Sequence, residues 1–276
     1  MKIIDNVITS RNNETVKWAA AISTKKERER SRAFIAEGEK LSFEALDTGL
    51  PVSHIFVHES KKDTLFARLE KYFSNNFYKD TAVITLSDGA FSKISTESAP
   101  QGIISVIKYL DFFKDTDIIY KEEFLKLPNE RAIFLSSVRD PGNLGAVIRS
   151  AAAFGVDHII LTADSADIYN PKTVRSAMGS LFHVKATVVR DAVGTVKELI
   201  SSGRRAFAAE LREGAVSVAD AALTSSDVVI IGNEGHGISP DLSAASSGSV
   251  YIPISGKTES LNAAVAAALF MWEINK

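Results

Sequence analysis

Three short stretches bring together residues whose types and spacing can do chemistry. The first is Asp140-Pro-Gly-Asn-Leu-Gly-Ala-Val-Ile-Arg149, the second Ile231-Gly-Asn-Glu-Gly-His-Gly237, and the third Ile252-Pro-Ile-Ser-Gly-Lys-Thr-Glu-Ser-Leu-Asn262. They offer a guanidinium (Arg149), a carboxylate (Glu234), an imidazole (His236), amides (Asn143, Asn262) and a hydroxyl (Ser260) among closely spaced glycines. Each feature also has a structural reading. Gly232, Gly235 and Gly237 suit tight turns, and Ser260 and Asn262 suit the cap of a final helix. Arg149 interrupts an apolar helical run from Ala146 to Ala153, where a guanidinium calls for a buried partner. His236 has an ordinary pKa near 6.5 that fits a base. The glycine spacing does not match the dinucleotide-binding fingerprint. The five histidines are scattered without metal-ligand spacing.

The elements that must hold these stretches follow from the hydrophobic pattern. In the C-terminal half, continuously apolar runs at 132–135, 158–161, 184–189, 206–209, 228–231 and 250–252 alternate with helical segments. The last helix runs from about Ser260 to the end. Such runs predict parallel strands covered on both faces, with ligands at the carboxyl ends of the strands. The N-terminal half alternates in the same way on a smaller scale. It shows helices over 15–22, 39–46, 65–73 and 89–94, and strands at 34–36, 55–57, 82–85 and 102–107. The expected organisation is an α/β domain over 1–110, a polar linker over 111–126 and a catalytic α/β domain over 127–276.

Length and composition agree with two globular domains: 276 residues, 45% apolar and 24% charged. The absence of cysteine removes disulfides, thiolate metal sites and a cysteine nucleophile, and suits a reducing cytoplasm. The apolar start Met1 to Ile4 is too short for a signal peptide, and the run 263–272 is about half a membrane span. A cytoplasmic protein without membrane association is expected. The net charge of −2 gives no global attraction to nucleic acid, so any such footprint is local. Lys25, Lys26, Arg28, Arg30 and Arg32 are the candidates, against the alternative of a solvated helix face or loop.

In combination the three stretches resemble the SpoU, or TrmH-like, family of RNA ribose methyltransferases in the SPOUT class. The matching positions are Asn143, Gly145 and Arg149, then the apolar strand with Gly232 to Gly235, then Ile252-Pro253 with Ser260-Leu261-Asn262. The stretch from Arg32 to Leu46 is similar to that family's N-terminal substrate-binding domain, related to a ribosomal protein that binds kinked RNA. The resemblance implies a deep trefoil knot built from the second and third loops, where ordinary connectivity rules predict an unknotted sheet. It implies S-adenosylmethionine as cofactor, held near Gly232, Ile252 and Leu261, with Arg149, Asn143, Glu234, Ser260 and Asn262 as catalytic residues. Glu234 is a candidate partner of Arg149. It implies transfer of methyl to a ribose 2′-hydroxyl in structured RNA, rRNA ahead of tRNA, and a homodimer formed through the C-terminal domain. In the last helix, Leu261, Val265, Leu269 and Trp272 recur at helical spacing, with Ala264 and Ala268 beside them. The alternatives from other classes are a non-catalytic RNA-binding protein on the same domains and a nucleotide-binding enzyme with an ordinary sheet. Arg149 is open between base and electrostatic roles, although a guanidinium accepts protons poorly near neutrality.

Overall fold

Runs such as Ala132–Leu135 and Val228–Ile231 have no polar face, so they are stable as strands only in a sheet covered on both sides. In the computed structural model, which describes residues 1–110, 113–116 and 130–276, these two strands are buried neighbours in one parallel sheet. The chain forms two units. One comprises Met1–Leu110 with Asp167–Phe182, the other Asp111–Ala166 with His183–Lys276.

In the first unit the chain runs through β1 (Lys2–Ile8), α1 (Glu14–Ala21), α2 (Lys25–Ser31), β2 (Ala33–Glu37), α3 (Glu39–Asp47) and β3 (Val52–His58). It continues through α4 (Lys62–Phe73), β4 (Ala82–Leu86), α5 (Asp88–Ile94) and β5 (Ile103–Lys108). The sheet order is β1-β4-β3-β5-β2, with β5 antiparallel to both neighbours and the remaining pairs parallel. Asn13 starts α1 by accepting from the amides of Thr15 and Val16, which lets Val16 and Ala19 enter the core against Phe56, Ile84 and Phe91. The sequence pattern does not disclose β1. It is an edge strand whose Ile3 and Ile4 stay exposed, so it lacks the buried stripe that marks a central strand.

The second unit contains β6 (Phe113–Thr116), β7 (Ala132–Leu135), α6 (Pro141–Ala153) and β8 (His158–Thr162). The next helix, α7 (Pro171–Ala177), belongs to the first unit. The second unit resumes with β9 (Lys185–Val189), α8 (Ala192–Ser201), β10 (Ala206–Ala209), β11 (Val216–Ser217), β12 (Val228–Ile231), α9 (Pro240–Ala245), β13 (Gly248–Tyr251) and α10 (Ala263–Glu273). The order is β11-β13-β10-β12-β7-β8-β9-β6, and every pairing is parallel. The core lies between this sheet and its helices, with Phe134, Ile160, Val228, Ile230 and Leu199 at its centre. Helix α10 comes back from β13 to pack on α6 and β12.

Two expectations about organisation change. Most of the expected 111–126 linker lies outside the described residues, but Phe113–Thr116 pair with β9 as an edge strand. Its charged pattern hid it, because an edge strand tolerates charge on its open side. Residues 167–182, expected in the catalytic half, belong to the first unit. Asp167 takes a hydrogen bond from Arg28 at 2.6 Å, and Tyr169 stacks on Tyr109 with centroids 4.0 Å apart. The amide of Leu110 donates to the Tyr169 hydroxyl at 2.8 Å, and Arg175 pairs with Glu97 at 2.7 Å.

Candidate active site

The three loops follow β7, β12 and β13 at the carboxyl ends of parallel strands of one sheet, β7 and β12 adjacent and β13 separated from them by β10, where an open α/β sheet offers its crevice. Asp140 caps α6 by accepting from the amide of Asn143 at 2.8 Å, and Pro141 supplies the fixed φ of a first helical residue. This seats Asn143 in the first turn with its amide free to bridge. Its Nδ2 donates to Glu234 Oε1 at 3.0 Å, and its Oδ1 accepts from Asn262 Nδ2 at 2.9 Å. Asn262 in turn caps α10, accepting from the amides of Ala264 at 2.9 Å and Val265 at 3.3 Å. One side chain from each loop therefore joins a single relay, and moving any one of them disturbs the start of a helix.

Glu234 is the charge in that relay. It also accepts from the backbone amides of Arg139 and Asp140, at 3.3 and 3.4 Å. Burial is the strongest single influence on its carboxyl and acts to raise the pKa. The donors together outweigh it, led by Asn143 and joined by those amides, and hold the group below the usual carboxylate range. The expected Arg149–Glu234 pair is not formed. Arg149 is exposed on the outer side of α6, with no hydrogen bond or ion pair among the described residues. The reading of Arg149 as partner to a buried carboxylate is thus corrected. Its position lies off the face made by Leu144, Val147, Ile148 and Ala151, so an apolar neighbourhood in sequence did not mean an apolar neighbourhood in space.

The loop after β12 is closed on itself. Asn233 and Gly237 exchange both backbone hydrogen bonds, at 2.9 and 3.0 Å. Asn233 Oδ1 takes the amides of Gly235 and His236, while its Nδ2 donates to the Ser137 carbonyl at 2.7 Å. A Cβ on Gly232 would sit 2.4 Å from the carbonyl carbon of Gly237. Glycine is therefore required there first for the loop to close, whereas the sequence suggested room for a cofactor.

Gly232, Ile252 and Leu261 line one cleft of about 700 Å³, joined by Ser260, Glu234 and the apolar Phe270. Its size and mixed lining fit a nucleoside-bearing cofactor. Glu210, which the sequence reading passed over, also lines it. Its Oε1 accepts from Ser243 at 2.5 Å, Ser249 at 2.7 Å and Arg212 at 3.3 Å. Its place directly after β10 was the available signal. His236 does not reach this cleft; it lines a second one of about 610 Å³ on the other side of the Asn233–Gly237 loop.

The basic run occupies α2 and its C-cap. Lys25, Lys26, Arg30 and Arg32 are exposed, with Lys25 near Glu29 and Arg30 paired to Glu27. Arg32 lies over the Tyr109 ring, 4.7 Å from its centroid. Arg28 is the exception and corrects the expectation of a shared surface. It is 2% exposed and donates to the carbonyls of Ile22 and Ser23 and to Asp167. It holds a helix to the core and offers no charge to a ligand.

Comparison with known proteins places these features. Residues 130–272 match the SpoU rRNA Methylase family, and residues 13–105 match the MRM3-like substrate binding domain. The chain is 34% identical to the 23S rRNA (guanosine(2553)-2'-O)-methyltransferase RlmP of Bacillus subtilis, covering 97% of this chain and 98% of that one. It is 29% identical to the 23S rRNA (uridine(2479)-2'-O)-methyltransferase of Streptomyces viridochromogenes, covering 96% and 90%. Its fold is similar to that of an AdoMet-bound rRNA methyltransferase from Sinorhizobium meliloti, with TM-score 0.80, 26% identity and coverage of 99% and 97%.

Proposed function

The chain belongs to the SpoU rRNA methylase family, and we propose that it methylates the 2′-hydroxyl of one ribose in large-subunit rRNA, as a cytoplasmic homodimer. The observation that carries this reading is the relay Glu234–Asn143–Asn262, which joins the three loops beside the cleft lined by Gly232, Ile252 and Leu261. S-adenosylmethionine, when bound, supplies an electrophilic methyl on a sulfonium. Gly232, Ile252 and Leu261 would hold it, the last two flanking its base by apolar contact. The relay fixes the loops so that donor and acceptor are aligned, and orientation supplies several kcal/mol of such a barrier.

Arg149 acts on the acceptor side. A guanidinium keeps its proton at neutral pH and cannot serve as the base. It binds the phosphate beside the target ribose and stabilises negative charge developing on the 2′-oxygen, while water or hydroxide removes the proton. Its exposure and the lack of a partner among the described residues support a role toward a ligand. Ser260 and Asn262 orient the third loop.

The dimer is supported by α10, whose outer face shows Val265 at 49%, Leu269 at 43% and Trp272 at 53% exposure. The opposite side buries Ala263, Ala267, Phe270 and Met271. A helix apolar on every side needs a second cover. We place the family's trefoil knot in the loops after β12 and β13, a reading supported by the return of α10 to α6 and β12. Among the described residues no helix is long and apolar enough to cross a membrane. The relatives acting on 23S rRNA and the substrate-binding match over 13–105 support rRNA over tRNA.

The test is a map of ribose methylation in total RNA from strains with and without the gene. Loss of one 23S rRNA methylation is expected. Loss of a tRNA methylation would move the substrate, and no loss would return the chain to RNA binding without catalysis.

A further inference from the structure

The second cleft has a composition that the transfer reaction does not use. It opens at the carboxyl ends of β7, β8 and β9, and the closed loop from Asn233 to Gly237 is a wall common to it and the cofactor cleft. Its lining includes Asp164, whose carboxylate accepts from the hydroxyls of Ser137 and Thr162, both at 2.6 Å, and whose side chain is 49% exposed. Arg139 and Arg190 stand at its rim, both exposed, with Arg139 reaching Asp164 at 3.5 Å. Val193 and Ile238, both half-buried, give it an apolar side.

The cleft is also held in shape at a cost. Ser137 has φ +58°, a left-handed conformation that a serine rarely adopts. Three contacts hold it: its amide donates to Thr162 Oγ1 at 2.8 Å, its hydroxyl to Asp164, and its carbonyl accepts from Asn233. Burial pushes the Asp164 carboxyl up more than any other single influence. The hydroxyls of Ser137 and Thr162, together with Arg139, outweigh it and keep the group ionised.

We propose that this cleft is a nucleotide-reading subsite, which takes an unpaired RNA nucleotide flanking the methylated one. Arg139 and Arg190 bind its phosphate, Val193 and Ile238 cover a face of its base, and Asp164 accepts from the base edge. Sequence-specific RNA recognition works on splayed-out bases whose edges are hydrogen-bonded and whose faces are covered. Guanine is the base that fits Asp164 best, because it alone presents two adjacent N–H donors to one carboxylate. Arginines at the rim suit the phosphate through their forked donors. The shared wall places the reader next to the chemistry, so the Asn233–Gly237 loop couples the two clefts. The inference rests on RNA being the substrate.

The experiment uses the full chain saturated with S-adenosylhomocysteine and titrated with GMP, AMP, CMP and UMP, followed by NMR. GMP is expected to bind at least tenfold more tightly than UMP, with shifts around Ser137 and Asp164. Asp164→Asn, which keeps the side-chain shape, is expected to weaken GMP about tenfold without changing S-adenosylhomocysteine affinity. Val193→Trp fills the cleft and should do the same by exclusion. On an rRNA fragment carrying the methylated site, both variants should raise KM while leaving the saturated single-turnover rate within twofold. Arg139→Ala/Arg190→Ala should reduce the salt dependence of RNA binding by about 0.7 in log–log slope, the contribution of one phosphate. No GMP binding by the wild type at millimolar concentration overturns the inference. So does unchanged GMP binding and KM in folded Asp164→Asn and Val193→Trp. If the wild type methylates RNA and these variants leave KM untouched, the cleft inference fails alone. If it methylates no RNA yet GMP binding responds to Asp164→Asn, the methylation reading fails and the nucleotide site stands.

Discussion

Helices α2 and α6 each carry an arginine whose surroundings in sequence point the wrong way. Arg28 sits in the most charged stretch of the chain and is 2% exposed. Arg149 sits among alanine, valine and isoleucine and is exposed. What decides is angular position on the helix. Arg28 is on the inward face of α2, and Arg149 lies off the buried face of α6. A guanidinium inside the protein with its charge matched is an anchor. The same group outside, with no partner among the described residues, stays open to solvent. Composition around a residue says what a segment is made of, while phase says what the residue does.

The comparison breaks most sharply at Asp167, the counter-ion of Arg28. Asp167→Ala strands a buried guanidinium, at about 3 kcal/mol, and should lower Tm by about 10 °C in thermal unfolding followed by circular dichroism. A Tm within 2 °C of wild type would show that Arg28 is not held by this pair.

Arg149→Ala is the mirror case. Its Tm should stay within about 2 °C, as for an unpartnered surface residue, while single-turnover methylation falls about a hundredfold. Cofactor affinity by calorimetry should be unchanged. Arg149→Lys should recover only part of the rate, since an ammonium cannot reproduce a planar fork. Near-normal turnover in the alanine variant would exclude a central role for Arg149.

The relay itself gives a smaller effect. Asn143→Ala removes a donor to Glu234 and an acceptor for Asn262, at about 1 kcal/mol of stability, and should weaken cofactor binding several-fold. Glu234 adds a pH signature. Its carboxyl is held below the ordinary range, so its stabilisation is fully present above the unfolded value near 4.3. It is lost as pH falls through the lower folded value. Tm measured from pH 7 down to pH 3 should therefore fall more steeply for the wild type than for Glu234→Gln, with no difference in slope between pH 6 and 8.

The smallest expected change is Lys26→Ala. This side chain is exposed on α2, and losing one phosphate contact should lower the salt slope of RNA binding by about 0.7 with Tm unmoved. An unchanged slope would leave α2 as a solvated face.

Where a residue's role is set by period or by loop chemistry, the sequence could be read. Strands β7 and β12 lie where their unbroken apolar runs put them, because a strand buried on both faces admits no polar position. Asn143, Glu234 and Asn262 meet because each lies in or just after a loop at the carboxyl ends of the same sheet's strands. Other features depend on partners distant in the chain. Strands β1 and β6 are edges without a two-sided pattern, Glu210 is an acid among ordinary loop residues, and the role of Gly232 appears only with Gly237 opposite it. His236 lines the second cleft and not the one lined by Gly232, Ile252 and Leu261; the amides of Gly235 and His236 bind back to Asn233, a turn that spacing alone does not orient.

The membership of Asp167–Phe182 in the first unit has a consequence for how the chain is made. Synthesis runs from the N-terminal side, and domains generally fold as units as they emerge. Here the first unit lacks the counter-ion of Arg28 and the ring that stacks on Tyr109 until residues 167–182 have been added. At ordinary elongation rates that delay is on the order of ten seconds. During it the residues of β7, α6 and β8 are synthesised. The order of folding is thus interleaved, and a nascent chain halted near residue 110 carries a unit with an unmatched interior cation.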